Sequence, residues 1–125
     1  MLVTGYKFHL RIYMLVTSTT PEVRAYVHND GHAMFCTKEF TMDANTLGKH
    51  FDGTVHLSNY DINCTPKNMD LYLDQKGDVG PGCCRPISWL CDWIAANRAD
   101  VPVAGMWRQI HRICHHAANY IAAYP

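Results

Sequence analysis

Lys7-Phe8-His9-Leu10-Arg11-Ile12-Tyr13-Met14-Leu15-Val16-Thr17-Ser18 alternates apolar and polar residues with period two. Successive side chains of a β-strand point to opposite faces, so this run predicts a strand over Lys7–Thr17. Phe8, Leu10, Ile12, Met14 and Val16 share one face, apolar enough for a core. Lys7, His9, Arg11 and Tyr13 share the other. Two permanent cations and an imidazole on one strand face suit a phosphate or carboxylate ligand, if that face looks into a cleft. The same pattern also fits a half-exposed strand with a solvated polar face.

Downstream, Thr19-Thr20-Pro21 breaks the run. A second strand is predicted over Val23–His28, an Asp30-Gly31 hairpin turn after Asn29, and a third strand over His32–Thr37. Lys38 to Thr54 reads as loop with room for one helical turn, and Thr54–Leu57 as a short strand leading into Ser58-Asn59. Residues 61–82 are polar and rich in Gly and Pro, and are expected to be a surface loop.

The last third is helical. Pro86 suits a helix start, where its missing N–H costs little. Ile87, Leu90, Cys91 and Ile94 follow helical spacing, Asp100-Val101-Pro102 separates two helices, and the second is predicted over about Ala104–Ala123. Its expected buried stripe is Met106, Ile110, Ile113, Cys114, Ala117 and Ile121, with Trp107 as the contact between the helices. The fold class expected is α+β: an antiparallel β-meander followed by two helices.

A chain of 125 residues makes one domain, 1–125, and can bury about two-thirds of its surface. Its formal net charge of zero argues against a general nucleic-acid binder. No apolar run approaches the roughly 20 residues of a membrane span, so no membrane partner is expected. Lys7, His9 and Arg11 interrupt any signal-peptide core, and the six cysteines are expected to be reduced thiols in a cytosolic protein.

Cys83, Cys84, Cys91, Cys114, His111, His115 and His116 lack both a Cys-x-x-Cys pair and a His-Glu-x-x-His motif. No metal site is expected from them. Cys91 and Cys114 read as core positions. No cysteine reads as a nucleophile.

The strand Lys7–Tyr13 followed by Leu15-Val16-Thr17-Ser18 resembles the strand that opens the C-terminal lobe of the tubulin–tyrosine ligase-like enzymes. His56-Leu57-Ser58-Asn59-Tyr60-Asp61-Ile62-Asn63 is similar to that family's His-Leu-Thr-Asn-Tyr-Ser-(Ile/Val)-Asn. Val23–Phe40 fits its next two strands, with Gly31 at the turn, and Ile87–Trp107 fits its two helices loosely, so the resemblance covers nearly the whole chain.

This resemblance implies part of an ATP-grasp fold and an ATP-dependent ligation of a carboxylate to an amine through an acyl phosphate. ATP and Mg2+ are the implied cofactors. The implied partners are tubulin C-terminal tails and microtubules, with glutamate as the amino-acid substrate. The implied location is the cytoplasm and cytoskeleton, extending to the cilium, flagellum or basal body.

By the same carry-over, Lys7 matches a nucleotide-contacting lysine. Arg11 matches the arginine facing the acyl phosphate or substrate. Ser58 and Asn59 match the Thr-Asn pair bordering the nucleotide pocket. Each has a plainer reading: Lys7 as a strand start, Arg11 as a rim cation, Asn59 as a turn residue capping its own backbone. His56 is expected to be structural.

Two positions depart from the family. His9 stands where it has aspartate, placing a donor that can become cationic between Lys7 and Arg11. Met34 stands where it usually has a substrate-site arginine; losing one preorganised donor typically costs about 3–4 kcal/mol in the transition state. The family's phosphate-clamping lysines and magnesium ligands have no counterpart here, so the chain alone is expected not to turn over ATP.

The function expected is therefore a fragment of a polyglutamylase-type tubulin ligase. The alternatives are an inactive remnant or tubulin-binding module, and an unrelated cytosolic α+β binding module.

Overall fold

The structure is a computed structural model and describes residues 2–67 and 84–123. Three strands form an antiparallel sheet in the order β1-β2-β3: β1 is Phe8–Ser18, β2 Arg24–Phe35 and β3 Cys84–Pro86. Among the described residues four helices accompany it: α1 (Gly53–His56), α2 (Tyr60–Asn63), α3 (Ile87–Asn97) and α4 (Val103–Ala123). Single 3-10 turns occupy Ala44–Thr46 and Gly48–His50.

The chain divides into two compact units, Met1–Arg11 with His32–Pro86, and Ile12–Gly31 with Ile87–Pro125. Both long strands pass from one unit to the other.

β1 follows its period-two pattern along its whole length: Phe8, Leu10, Ile12, Met14 and Val16 are half-buried, and Lys7, His9, Arg11, Tyr13 and Leu15 are exposed. Ahead of it, Val3 and Tyr6 close a tight turn, each N–H donating to the other's carbonyl, at 3.2 and 2.9 Å. Gly5 in that turn sits at φ 91°, a left-handed conformation that glycine adopts without steric cost. Its carbonyl accepts the Phe40 N–H at 2.9 Å, so the turn delivers Lys7 to the strand already anchored.

The predicted hairpin turn at Asn29-Asp30-Gly31 is absent; β2 runs straight through it. The reason lies in the Asp30 carboxylate. It accepts the Gly31 N–H at 2.7 Å and, from far along the chain, the Ile87 N–H at 2.9 Å, the Ser88 N–H at 3.3 Å and the Ser88 hydroxyl at 3.2 Å. Asp30 thus serves the exposed N–H groups at the start of α3 rather than a local turn. The chain instead reverses between Ser18 and Arg24, where Thr20–Pro21 is a cis peptide. The third strand is correspondingly β3 and not His32–Thr37; it pairs His32 with Pro86, Ala33 with Arg85 and Met34 with Cys84.

Thr54–Leu57, predicted as strand, is mostly the helical turn α1. The Asp52 carboxylate accepts the Thr54 N–H at 2.9 Å and the Thr54 hydroxyl, and this cap starts a helix where the apolar pattern is too short to specify one. The expected loop 61–82 begins inside α2; its positions 68–82, like Cys83, lie outside the described residues.

In the first unit Val3, Ala33, Met34, Phe35, Cys36 and Val55 are buried, and the Phe8 and Phe35 rings pack with centroids 5.3 Å apart. In the second, Ile87, Leu90 and Ile94 of α3 are fully buried with Ile110 and Ala118 of α4. Cys91 and Cys114, expected in the core, are half-buried. Trp107 does join the helices, its indole hydrogen-bonding the Cys91 thiol.

The buried stripe of α4 differs from the expected one. Ile113 is 67% exposed and Ile121 46%, and Ala117 is exposed as well, while Ala118 is 3% exposed. The helix is rotated so that Ile110, Cys114 and Ala118, at i, i+4 and i+8, face inward.

Candidate functional site

Lys7, His9 and Arg11 stand on one exposed face of β1, each two residues from the next, about 7 Å apart along a strand. Next to Lys7, the Cys36 N–H donates to the Lys7 carbonyl at 2.9 Å, fixing that end of β1 against the end of β2. The Lys7 ammonium also acts on the Cys36 thiol: burial pushes the thiol up, and Lys7 opposes part of that rise.

His9 carries the contact that organises the site. Its Nδ1 lies 2.6 Å from the Ser58 hydroxyl oxygen, a hydrogen bond across 49 positions of sequence. Burial pushes the His9 imidazole below its ordinary value of 6.5, and the Arg11 guanidinium pushes it further down. Both effects disfavour the imidazolium form that the sequence leaves open between Lys7 and Arg11. The two permanent charges are separated by a ring that is hydrogen-bonded to a hydroxyl.

Ser58 is 8% exposed and lies between α1 and α2. Asn59 is exposed, and its side-chain oxygen accepts the Asp61 N–H at 2.9 Å, which makes it the N-cap of α2. Among the described residues its NH2 group makes no hydrogen bond, so it can donate to a ligand while the oxygen holds the helix.

His56 is 7% exposed. Its Nε2 is 3.1 Å from the Thr46 hydroxyl, and its ring packs between those of Phe40 and Phe51, in keeping with a structural role. Met34 is 3% exposed and belongs to the core. Phe35 shares the face of Phe8, so the pleat puts Met34 on the face of Lys7 and His9, beneath the surface.

The structure thus brings His9 together with Ser58, puts Asn59 next to them in sequence, and keeps Lys7 and Arg11 on the same strand face within one compact unit. The donors gathered here are an ammonium, a guanidinium, a hydroxyl and a carboxamide. That set matches an anionic ligand carrying phosphate or carboxylate oxygens. Among the described residues no group of three or more His, Cys, Asp or Glu could hold a metal ion.

Sequence reasoning assigned no role to Asn63 or Thr37, which hold this corner together. Asn63 is the last residue of the His56–Asn63 motif, and that position was its only signal.

A family model described as the tubulin-tyrosine ligase family matches residues 1–123. Human tubulin monoglutamylase TTLL4 is 40% identical over 111 residues, covering 87% of this chain and 8% of its own. Mouse tubulin polyglutamylase TTLL6 is 31% identical over 124 residues, 99% of this chain and 14% of its own. Human tubulin polyglutamylase TTLL7 is 30% identical over 113 residues, 90% of this chain and 12% of its own. The chain therefore spans a small fraction of the length of the curated relatives it matches.

Proposed function

This chain belongs to the tubulin-tyrosine ligase family, and we propose that its Lys7–Arg11 strand and Ser58-Asn59 corner form part of the nucleotide and acyl-phosphate site of an ATP-dependent tubulin glutamate ligase. The relatives named as tubulin polyglutamylases and a monoglutamylase support glutamate as the donor amino acid and tubulin as the acceptor. In such a ligation ATP phosphorylates a carboxylate, and an amine then displaces the phosphate to form the amide. Microtubules and the cytoskeleton are the corresponding location.

The residues of this chain act by charge and position. Lys7 neutralises phosphate oxygens as a compact point charge. Arg11 grips the carboxylate or acyl phosphate with its planar fork, which matches two oxygens at once. His9, tied to Ser58 and with its charged form disfavoured by burial and by Arg11, spaces the two cations. The Asn59 NH2 donates at the edge of the nucleotide pocket. Met34 fills the core under this face and leaves any further substrate-facing charge to other residues. The acidic ligands that magnesium requires are not gathered among the described residues, and no step here is routed through that ion.

The single observation that carries this reading is the 2.6 Å His9–Ser58 bond. It joins two motifs far apart in sequence, at the strand position between the two cations. The test is incorporation of labelled glutamate into microtubules by the intact protein with ATP. Arg11→Ala is expected to lower turnover about a hundredfold or more, the usual scale for one transition-state donor, with its melting temperature unchanged. Turnover that survives the substitution, or microtubule pelleting without any incorporation, would overturn the ligase reading.

A further inference from the structure

Asn63 is 1% exposed, and all four hydrogen-bonding positions of its carboxamide are used. Its oxygen accepts the Thr37 N–H at 2.8 Å and the Thr37 hydroxyl at 2.9 Å. Its NH2 donates to the Leu57 carbonyl at 2.6 Å and the Asn59 carbonyl at 2.9 Å.

The two accepting carbonyls flank Ser58. Asn63 therefore holds the backbone on both sides of the one residue whose hydroxyl meets His9. At its other end it is fixed to Thr37, the residue after Cys36, whose N–H is bonded to the Lys7 carbonyl. A continuous path of hydrogen bonds and peptide links runs from the Lys7 carbonyl to Cys36, along the chain to Thr37, to Asn63, to the carbonyls of Leu57 and Asn59 on either side of Ser58, and from the Ser58 hydroxyl back to the strand at His9. Every residue on it belongs to the same compact unit.

α2 needs none of this for itself, since Asn59 caps its start and the Cys64 N–H bonds the Tyr60 carbonyl at its end. We infer that Asn63 is a positioning residue for the ligation: it sets the Ser58 hydroxyl, and with it the Asn59 amide, at a fixed place relative to the Lys7–Arg11 strand. The inference rests on the nucleotide-site reading above and adds to it a residue that touches neither nucleotide nor substrate. A carboxamide is required because the site needs two donors and two acceptor directions from one small planar group. Aspartate keeps the shape but turns a carboxylate towards two carbonyl oxygens.

The experiment has two readouts. In the chain labelled with 15N-histidine, the His9 Nδ1 resonance reports the Ser58 bond directly. It is expected to move in Asn63→Asp to the position it takes in Ser58→Ala. A His9 resonance that stays at its wild-type position in a folded Asn63→Asp protein overturns the inference.

In the intact enzyme, Asn63→Asp is expected to raise the KM for ATP about tenfold or more, as misplacement of a binding group does. It should do so no further in a Ser58→Ala background, because both changes remove the same placement. Effects of the two substitutions that simply add would indicate general loss of structure and overturn the positioning role. Should Asn63→Asp fail to fold, Thr37→Val removes one anchor of the carboxamide and must still move the Nδ1 resonance in the same direction; a stationary resonance there overturns the inference too.

The nucleotide reading fails separately. In that case the His9 resonance moves as expected, while Ser58→Ala and Arg11→Ala leave ATP kinetics untouched.

Discussion

The two compact units start their helices with the same kind of side chain used in opposite ways. In the first unit Asn59 caps α2 from the adjoining position, and Asp52 does the same for α1. In the second, the cap of α3 comes from Asp30, which lies 57 positions before the N–H it binds at Ile87. A local cap costs little chain entropy and holds one helical turn. The remote cap ties a strand to a helix start, and it succeeds because α3 also buries Ile87, Leu90 and Ile94 completely. The first unit thus adds a network of polar side chains to its apolar core, whereas the helix start in the second is backed by aliphatic packing.

If that division is right, truncation in the α3 core has the largest effect on folding. Leu90→Ala is expected to lower the unfolding free energy by about 3–5 kcal/mol, the range for a fully buried leucine. Urea denaturation of the chain measures it. A loss under 1 kcal/mol would mean that the second unit does not rest on this helix.

The caps come next. Asp30→Ala strands three backbone N–H groups, those of Gly31, Ile87 and Ser88, and the Ser88 hydroxyl, and is expected to cost about 1–2 kcal/mol. Asn59→Ala strands one N–H of a single helical turn and should cost about 0.5–1 kcal/mol. Equal costs, measured by the same denaturation, would erase the contrast between remote and local capping.

This contrast also explains what was legible in the sequence. β1 was readable because each of its residues obeys one period, and the two long helices because their apolar spacing and Pro86 are local signals. The Asp30-Gly31 pair was misread because its turn chemistry is equally local, while the groups that claim the Asp30 carboxylate arrive from the far end of the chain. The α1 turn was misread because a cap can start a four-residue helix that carries no periodicity of its own. Of the candidate site, the face holding Lys7, His9 and Arg11 follows from alternation alone. Its meeting with Ser58 is a tertiary fact that only motif resemblance anticipated, and the downward shift of His9 comes mainly from burial that no spacing encodes. Asn63 stood in view in the motif, but its role is defined by partners at Thr37, Leu57 and Asn59.

Acid should weaken the polar unit by a smaller amount. The Lys38 ammonium, 2.8 Å away, acts first on Asp52, and with the Thr54 hydroxyl and N–H it lowers the Asp52 carboxyl to about 2 from its ordinary 3.8. The folded-state pKa lies below the unfolded one, so this stability is complete above about pH 4 and is lost as pH falls through 2. The lysine is exposed and the carboxylate partly so, so salt screens the pair and the loss is modest. Thermal melts between pH 5 and pH 2 should show a decline that Asp52→Asn reduces. The same decline in wild type and Asp52→Asn would assign acid sensitivity to other carboxylates, among them Asp30, whose pKa is lowered as well.

The smallest effect gives the sharpest test of how α4 sits. Periodicity placed Ile113 with Ile110 on one buried stripe, yet Ile110 is 8% exposed and Ile113 67%. Were both buried, Ile113→Ser would lose a large aliphatic side chain and bury a hydroxyl, at a cost of several kcal/mol. With Ile113 in solvent, the exchange is between two residues of similar helix propensity and should stay within about 0.5 kcal/mol. Ile110→Ser in the same chain supplies the internal standard, because it carries the full burial penalty. A large cost at Ile113 would rotate α4 back to the stripe drawn from sequence and move Ala118 outward. A large cost at Ile110 with almost none at Ile113 fixes the helix as described.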